Sequence, residues 1–211
     1  KLSAASAGGG EPLNVEDVFS VDPNSNTDGT AYTITNNIDL AGKGGLIWSK
    51  CRTDDNTDHV LVDTESGLGS YVNSAKYDAA VTASDTVTAV SATGFSFGTN
   101  SNVNKTGDKR AIHWTFRKAK NFFDIQTYTG TGTAGLTISH DLGSVPGFIA
   151  IKRRNFGTYW NCYHRELGEG SFNDPEDYYM QLNTTNGVIP DSSGSRWNNT
   201  APTSTTITLG N

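Results

Sequence analysis

One segment of this chain occurs twice. Gly45-Leu46-Ile47-Trp48-Ser49-Lys50-Cys51-Arg52 returns as Gly147-Phe148-Ile149-Ala150-Ile151-Lys152-Arg153-Arg154, with the glycine, the lysine and the last arginine each 102 residues apart. Upstream, Thr33-Ile34 answers Thr137-Ile138, Asp39-Leu40 answers Asp141-Leu142, and Asp17-Val18 answers Asp124-Ile125. Downstream, Glu65-Ser66-Gly67 matches Glu166-Leu167-Gly168, and Gly94–Gly98 corresponds loosely to Thr206–Gly210. Self-similarity at a fixed spacing marks a duplicated structural unit. A chain of 211 residues has room for two such units of roughly 100 residues each.

The local pattern says what each copy folds into. Leu46–Trp48 and Phe148–Ile151 are short, continuous apolar runs, which suit a strand buried on both faces. The glycine before each run allows a tight turn into the strand. The Lys-x-Arg after each run puts both cations on one face, because strand side chains repeat every two residues. Thr86–Val90 and Thr205–Leu209 alternate as half-exposed strands do, and Ile112–Phe116 alternates as a central apolar strand. Threonine (27), glycine (23), serine (19) and asparagine (19) dominate the composition, which favours strands joined by turns. Asp22–Asn26 and Asn36-Asn37 read as turns, and only Gly67–Ser74 and Asp174–Tyr179 read as short helices.

The expected fold class is therefore all-β: two tandem antiparallel β-sandwich domains related by an internal repeat, with a flexible N-terminal arm. Residues 1–14 read as arm or linker, 15–119 as the first repeat and 120–211 as the second. Trp114 is expected in the core of the first copy. The second copy has no counterpart of Ile112–Phe116, so it is expected to lack its final strand. A missing central strand exposes a groove and an unpaired edge. The expectation is that the parent chain continues beyond Asn211 or that a neighbour supplies the strand.

Charge narrows the function classes. The net charge of −6 and a pI near 5.1 argue against nucleic-acid binding through a global positive field. Lys152-Arg153-Arg154 is too short a run to overturn that. No apolar run is long enough to span a membrane, so membrane insertion is not expected. Cys51 and Cys162 do not make a disulfide framework and read as free, buried thiols.

Catalytic signatures are weak. His59, His113, His140 and His164 have no zinc-ligand spacing and no Cys-x-x-Cys accompanies them. The Asp54-Asp55/Asp58 loop lacks the glycine and terminal glutamate of a calcium hand. Glu65 and Glu166 are repeat equivalents, hence a poor acid/base pair for sugar hydrolysis. No nucleophile elbow or phosphate loop is present. The reading is no enzyme, no cofactor and no metal. Aromatic side chains near Asn- and Asp-rich loops remain as contacts for a glycan or a protein. The candidates are Tyr159, Trp160, Tyr178, Tyr179, Arg196 and Trp197. A core role competes for Trp160 and its neighbour Tyr163, whereas Trp197 reads as a loop residue. Lys50/Arg52 and Lys152/Arg154 either solubilise strand ends or meet acidic glycans.

The strings Arg110–Ala119, Phe122–Gly130, Ile138–Ile149, Lys152–Arg154 and Trp197–Ser204 together resemble a tandem β-domain family of tailed-phage virion proteins. That family is of the marine and cyanobacterial phage type and is described as tail-fibre-like or structural. The resemblance spans about residues 15–211. In relatives the second copy ends with another Gly-rich turn and a Tyr/Phe-rich strand, and this chain departs from them there. The resemblance implies a virion location, multiple copies and other virion proteins as partners, with a homo-oligomer expected. The function it implies is a tail-fibre or tail-appendage component in host attachment, with a host-surface glycan as a further partner. A capsid decoration or head-fibre protein, and a carbohydrate-binding module, are the alternatives.

Overall fold

The computed structural model describes residues 13–24, 28–107, 110–168 and 174–211. The expected arm up to residue 12, and Ser25-Asn26 of the first expected turn, lie outside the described residues. The chain is predominantly β, with one four-residue α-helix among the described residues. It divides into two compact units. Unit 1 holds residues 1–73 and 80–125, and unit 2 holds 74–79 and 126–211.

Unit 1 contains β1 (Phe19–Asn24), β2 (Tyr32–Thr35), α1 (Leu40–Lys43), β3 (Gly45–Cys51), β4 (Val60–Asp63), β5 (Ser70–Tyr71), β6 (Val81–Thr82), β7 (Val87–Ser91), β8 (Gly94–Phe97) and β9 (Ala111–Arg117). One sheet runs β1-β9-β3-β4 and a second runs β2-β8-β7, all antiparallel. The core draws on both sheets, with Ile47, Val60 and Val62 from the first and Phe95, Phe97 and Val87 from the second. Burial alternates along β3 and through most of β9, so Ile47, Ser49, His113 and Thr115 point inward. Asp39 caps α1 by accepting from Gly42 N at 2.7 Å.

The opposite face of the four-stranded sheet is apolar too. Val21, Trp114, Trp48 and Leu61 form one row across all four strands. The two indoles meet edge to face with centroids 6.1 Å apart. Trp114 is half-buried on this outer face and is absent from the core cluster, which corrects its expected core placement. The cause is parity: with His113 and Thr115 inward, the residue between them must face out.

Two further local expectations change. Asp22–Asn24 continue β1 instead of turning. Pro23 is tolerated there because β1 is an edge strand. Gly67–Ser74 is not helical. It forms a turn leading into β5. Asn36-Asn37 does turn, with Asn37 at φ 62°.

Unit 2 contains β10 (Leu136–Ser139), β11 (Phe148–Ile151), β12 (Asn161–His164), β13 (Tyr178–Gln181), β14 (Ile189–Pro190) and β15 (Thr206–Leu209). Pro175–Asp177 make a single 3-10 turn where a short helix was expected. The sheets run β11-β12-β13-β14 and β10-β15. Tyr163, Tyr179, Trp197 and Leu209 form the core, with Ile149, Ile151, Leu136, Ile138 and Ile207 packed on it.

Strand partners in the two units follow one numbering rule. In unit 1, β2 pairs with β8 as Tyr32↔Phe97 and Ile34↔Phe95. In unit 2, β10 pairs with β15 as Leu136↔Leu209 and Ile138↔Ile207. Likewise β3 pairs with β4 as Ile47↔Val62 and Ser49↔Val60, and β11 with β12 as Ile149↔Tyr163 and Ile151↔Asn161. Each strand keeps a constant offset to its counterpart. Among the described residues no strand pairs with the outer edge of β11, where unit 1 has β9.

Candidate functional site

Four of the six sequence-identified contact candidates are enclosed in unit 2. Trp160, Tyr178, Tyr179 and Trp197 are all buried. Trp197, read from sequence as a loop residue, is 2% exposed. Its indole N–H donates to Tyr178 O at 3.0 Å and its ring meets Tyr163 edge to face at 5.8 Å. A buried indole with a satisfied N–H is a core side chain, and its faces are not open to a sugar ring. Arg196 lies over Tyr179, with its guanidinium 4.4 Å from the ring centre. The turn that carries it is fixed by Asp191, whose carboxylate accepts from Ser195 N at 3.1 Å, Ser195 Oγ at 2.6 Å and Arg196 N at 2.7 Å. The structure therefore brings Tyr178, Tyr179, Arg196 and Trp197 together, but as one packed corner.

Tyr159 stands apart from that corner and is 44% exposed. Its ring meets Tyr77 edge to face at 4.8 Å. Tyr77 belongs to the 74–79 segment of unit 2 and is exposed as well. Sequence reasoning missed Tyr77, because nothing local signals that this stretch leaves the unit on either side of it.

The repeated lysines have a shared role. Lys50 Nζ donates to Thr57 O at 2.5 Å. Lys152 Nζ donates to Thr158 O, and also to Tyr77 O at 2.9 Å. Each ammonium thus fastens the loop that follows its strand. Burial pulls the Lys152 pKa below its ordinary value, with Asp78 opposing that shift.

The carboxylates are also engaged. Asp54 is buried, accepts from Asn56 N at 3.0 Å and pairs with Lys105 Nζ at 2.5 Å. Glu65 pairs with Lys118 at 3.0 Å. No group of three side chains suited to a metal occurs among the described residues.

Among the described residues, one cleft of about 380 Å³ lies in unit 2. Leu136, Ile151, Trp197 and Leu209 form its apolar floor, and Asn161, Arg196 and the Gly130–Thr133 loop form its polar wall. Asn161 Oδ1 is buried there with no hydrogen-bond partner. An orphaned buried acceptor is costly, by about 1–3 kcal/mol.

In unit 1, His113 of β9 packs against the residues at the register-matched positions. His113 Nδ1 lies 2.9 Å from Ser49 Oγ, and Nε2 lies 3.1 Å from Tyr32 OH. The ring stacks obliquely on Phe97 at 4.6 Å. The three contacts Ser49, Tyr32 and Phe97 hold the register positions of Ile151, Leu136 and Leu209, which all line the cleft. Burial holds the His113 pKa down at about 3. From sequence, the missing strand signalled a groove, but not Asn161, whose counterpart is Val60.

A protein-family model described as a domain of unknown function, DUF7483, matches residues 25–211. No curated protein and no solved structure matches the chain.

Proposed function

We propose that the chain, which belongs to the DUF7483 family, is a structural protein of a tailed-phage virion. Within the particle its place is a tail fibre or similar tail appendage, serving host attachment. The scaffold is a tandem pair of β-sandwich copies related by the internal repeat. The constant register offset between β2·β8 and β10·β15, and between β3·β4 and β11·β12, supports the duplicated scaffold, and the virion role rests on the resemblance of Arg110–Ala119, Phe122–Gly130, Ile138–Ile149 and Trp197–Ser204 to tailed-phage virion proteins. The paired lysine clasps at Thr57 and Thr158 support the duplication further. A duplicated scaffold whose aromatic side chains mostly pack inward suits a passive, stiff part, and no catalytic step is proposed for it. Partners in this reading are other virion proteins and further copies of the chain, since closed symmetric multimers are the default for such parts.

The test is peptide mass spectrometry of gradient-purified particles of the phage that encodes the chain. The chain is expected to co-band with the major virion proteins in multiple copies. Its presence only in the soluble lysate contradicts the proposal.

A second reading rests on the exposed Tyr77–Tyr159 pair. Two accessible rings beside polar loops can stack on sugar C–H faces, so a carbohydrate-binding role centres there and not on Trp197. Glycan-array binding lost in Tyr159→Ala but kept in Tyr178→Phe supports that role, whereas no glycan binding at all contradicts it.

A further inference from the structure

We infer that Asn186 is a spontaneous modification site: its side chain closes a succinimide ring with Gly187 N, and in the folded protein the residue converts with time to aspartate and β-linked isoaspartate. The inference is independent of the virion and glycan readings above.

The sequence narrows the choice to one place. The chain has 19 asparagines, and only Asn186 is followed by glycine. Ring closure needs the next residue's backbone nitrogen to reach the asparagine Cγ. A side chain on that next residue crowds the approach, and glycine carries none. The reaction is intramolecular, so the reacting groups are held together at high effective concentration.

The fold leaves both groups open. Asn186 and Gly187 lie in the loop 182–188 that joins β13 to β14, and both are exposed. Among the described residues Gly187 N makes no hydrogen bond, so the proton that must leave it is held by no protein acceptor. A Cβ placed at Gly187 would meet nothing within 4 Å. Packing therefore puts no wall against the ring, and the fold itself does not require glycine there. The asparagine is held loosely. Its Nδ2 donates to Gln181 Oε1 at 3.4 Å and its backbone N donates to Thr184 Oγ1 at 3.3 Å, both at the long end of hydrogen bonding.

Asparagines that precede serine are restrained. Asn73 and Ser74 are both buried. Asn100 Nδ2 donates to Asp85 Oδ1 at 3.0 Å and its Oδ1 accepts from Asn102 N at 3.1 Å, so turning toward Ser101 N breaks two bonds. Asn24 precedes Ser25, which lies outside the described residues.

The step balances without a cofactor. Gly187 N gives up its proton and bonds to Asn186 Cγ. The Cγ–Nδ2 bond breaks, and ammonia departs with that proton. Water then adds to either ring carbonyl. Opening at one carbonyl leaves aspartate, and opening at the other leaves isoaspartate, whose main chain runs through the side-chain carbon. Either product adds one negative charge to a chain of net charge −6. The β13·β14 pairs Tyr178↔Pro190 and Tyr179↔Ile189 lie outside the altered link, so the modified chain keeps its strands.

The test is peptide mapping of the full 211-residue chain after weeks at 37 °C, at pH 7.4 and at pH 9, with a fresh sample digested in parallel. The peptide holding Asn186 is expected to gain the mass difference between an amide and an acid, and to split into two chromatographic peaks. The gain is expected to be faster at pH 9, where the attacking nitrogen loses its proton more readily. Peptides holding Asn73 and Asn100 are expected to stay unchanged. Gly187→Val, with its stiff branched side chain, is expected to slow the gain about tenfold or more. Its melting curve is expected to match the parent's, since a Cβ at this place meets nothing. A synthetic peptide of residues 182–190 is expected to convert at a rate similar to that of the folded chain. No mass gain at Asn186, an equal rate in Gly187→Val, or equal conversion of Asn73 or Asn100 overturns the inference. Conversion in the synthetic peptide but not in the folded chain overturns it as well.

Discussion

His113 Nδ1 sits 2.9 Å from Ser49 Oγ between the two sheets of unit 1, with no exposed surface on the imidazole. This contact joins cross-strand neighbours on β9 and β3, Tyr32 OH at 3.1 Å links the ring to the second sheet, and the burial of the ring fixes how the unit responds to acid. Burial lowers the imidazole pKa to about 3, against an ordinary value of 6.5. The unfolded chain therefore binds a proton that the folded chain refuses between those two values. Stability is fully present above pH 6.5 and falls as the pH drops toward 3, by about 1.4 kcal/mol per pH unit from this one group. Urea titrations of wild type and His113→Gln at several pH values are expected to differ in slope by that amount. Parallel pH profiles contradict the assignment.

The two repeat glycines should respond differently to the same substitution. Gly45→Ala forces a Cβ against the Phe116 carbonyl, and overpacking of this kind costs about 1–3 kcal/mol or more. Gly147→Ala first meets the flexible end of Arg165, 3.1 Å away, which can give way, so its effect stays within about 0.5 kcal/mol. Melting temperatures of the two variants check this, and equal losses contradict the open edge of β11.

Three aromatic truncations should rank by burial. Trp197→Ala removes a fully enclosed ring from the unit 2 core and is expected to cost about 3–5 kcal/mol. Trp114→Ala acts on the half-buried outer face and should cost less, about 1–2 kcal/mol, with unit 1 still folded. Tyr159→Ala, at an exposed ring, should change stability by less than about 1 kcal/mol. Denaturant midpoints read the order directly.

Both cysteines should be silent in the native state. Cys51 and Cys162 are free and buried, and burial pushes the Cys162 thiol up to about 11. Only the thiolate attacks a disulfide reagent. A colorimetric disulfide reagent at pH 8 is expected to label neither until denaturant is added. Rapid labelling of the folded chain contradicts this packing.

Periodicity carried the strand placement well where side chains alternate. Thr205–Leu209 and Ile112–Phe116 both fall on strands, β15 and β9. The repeated Lys50 and Lys152 were visible, but their partners were not, because a backbone carbonyl leaves no mark in composition. Trp197 does lie in a turn, as its polar neighbours Arg196, Asn198 and Asn199 indicate, but its burial is not legible from them. A single indole can turn inward from a polar turn, and Asp191 fixes this turn from outside the local pattern. Asp22–Asn24 read as a turn because proline and asparagine interrupt most strands, yet an edge strand leaves one side of its backbone free. Among the described residues no strand pairs with the outer edge of β11, and the unpartnered Asn161 Oδ1 in the cleft leaves no mark in the sequence.

The most direct test of the proposed role is immunogold labelling of intact phage particles with an antibody raised against this chain. Gold on the tail appendages is the predicted result. Gold confined to the capsid shell, or absent from particles altogether, contradicts the assignment to a tail fibre.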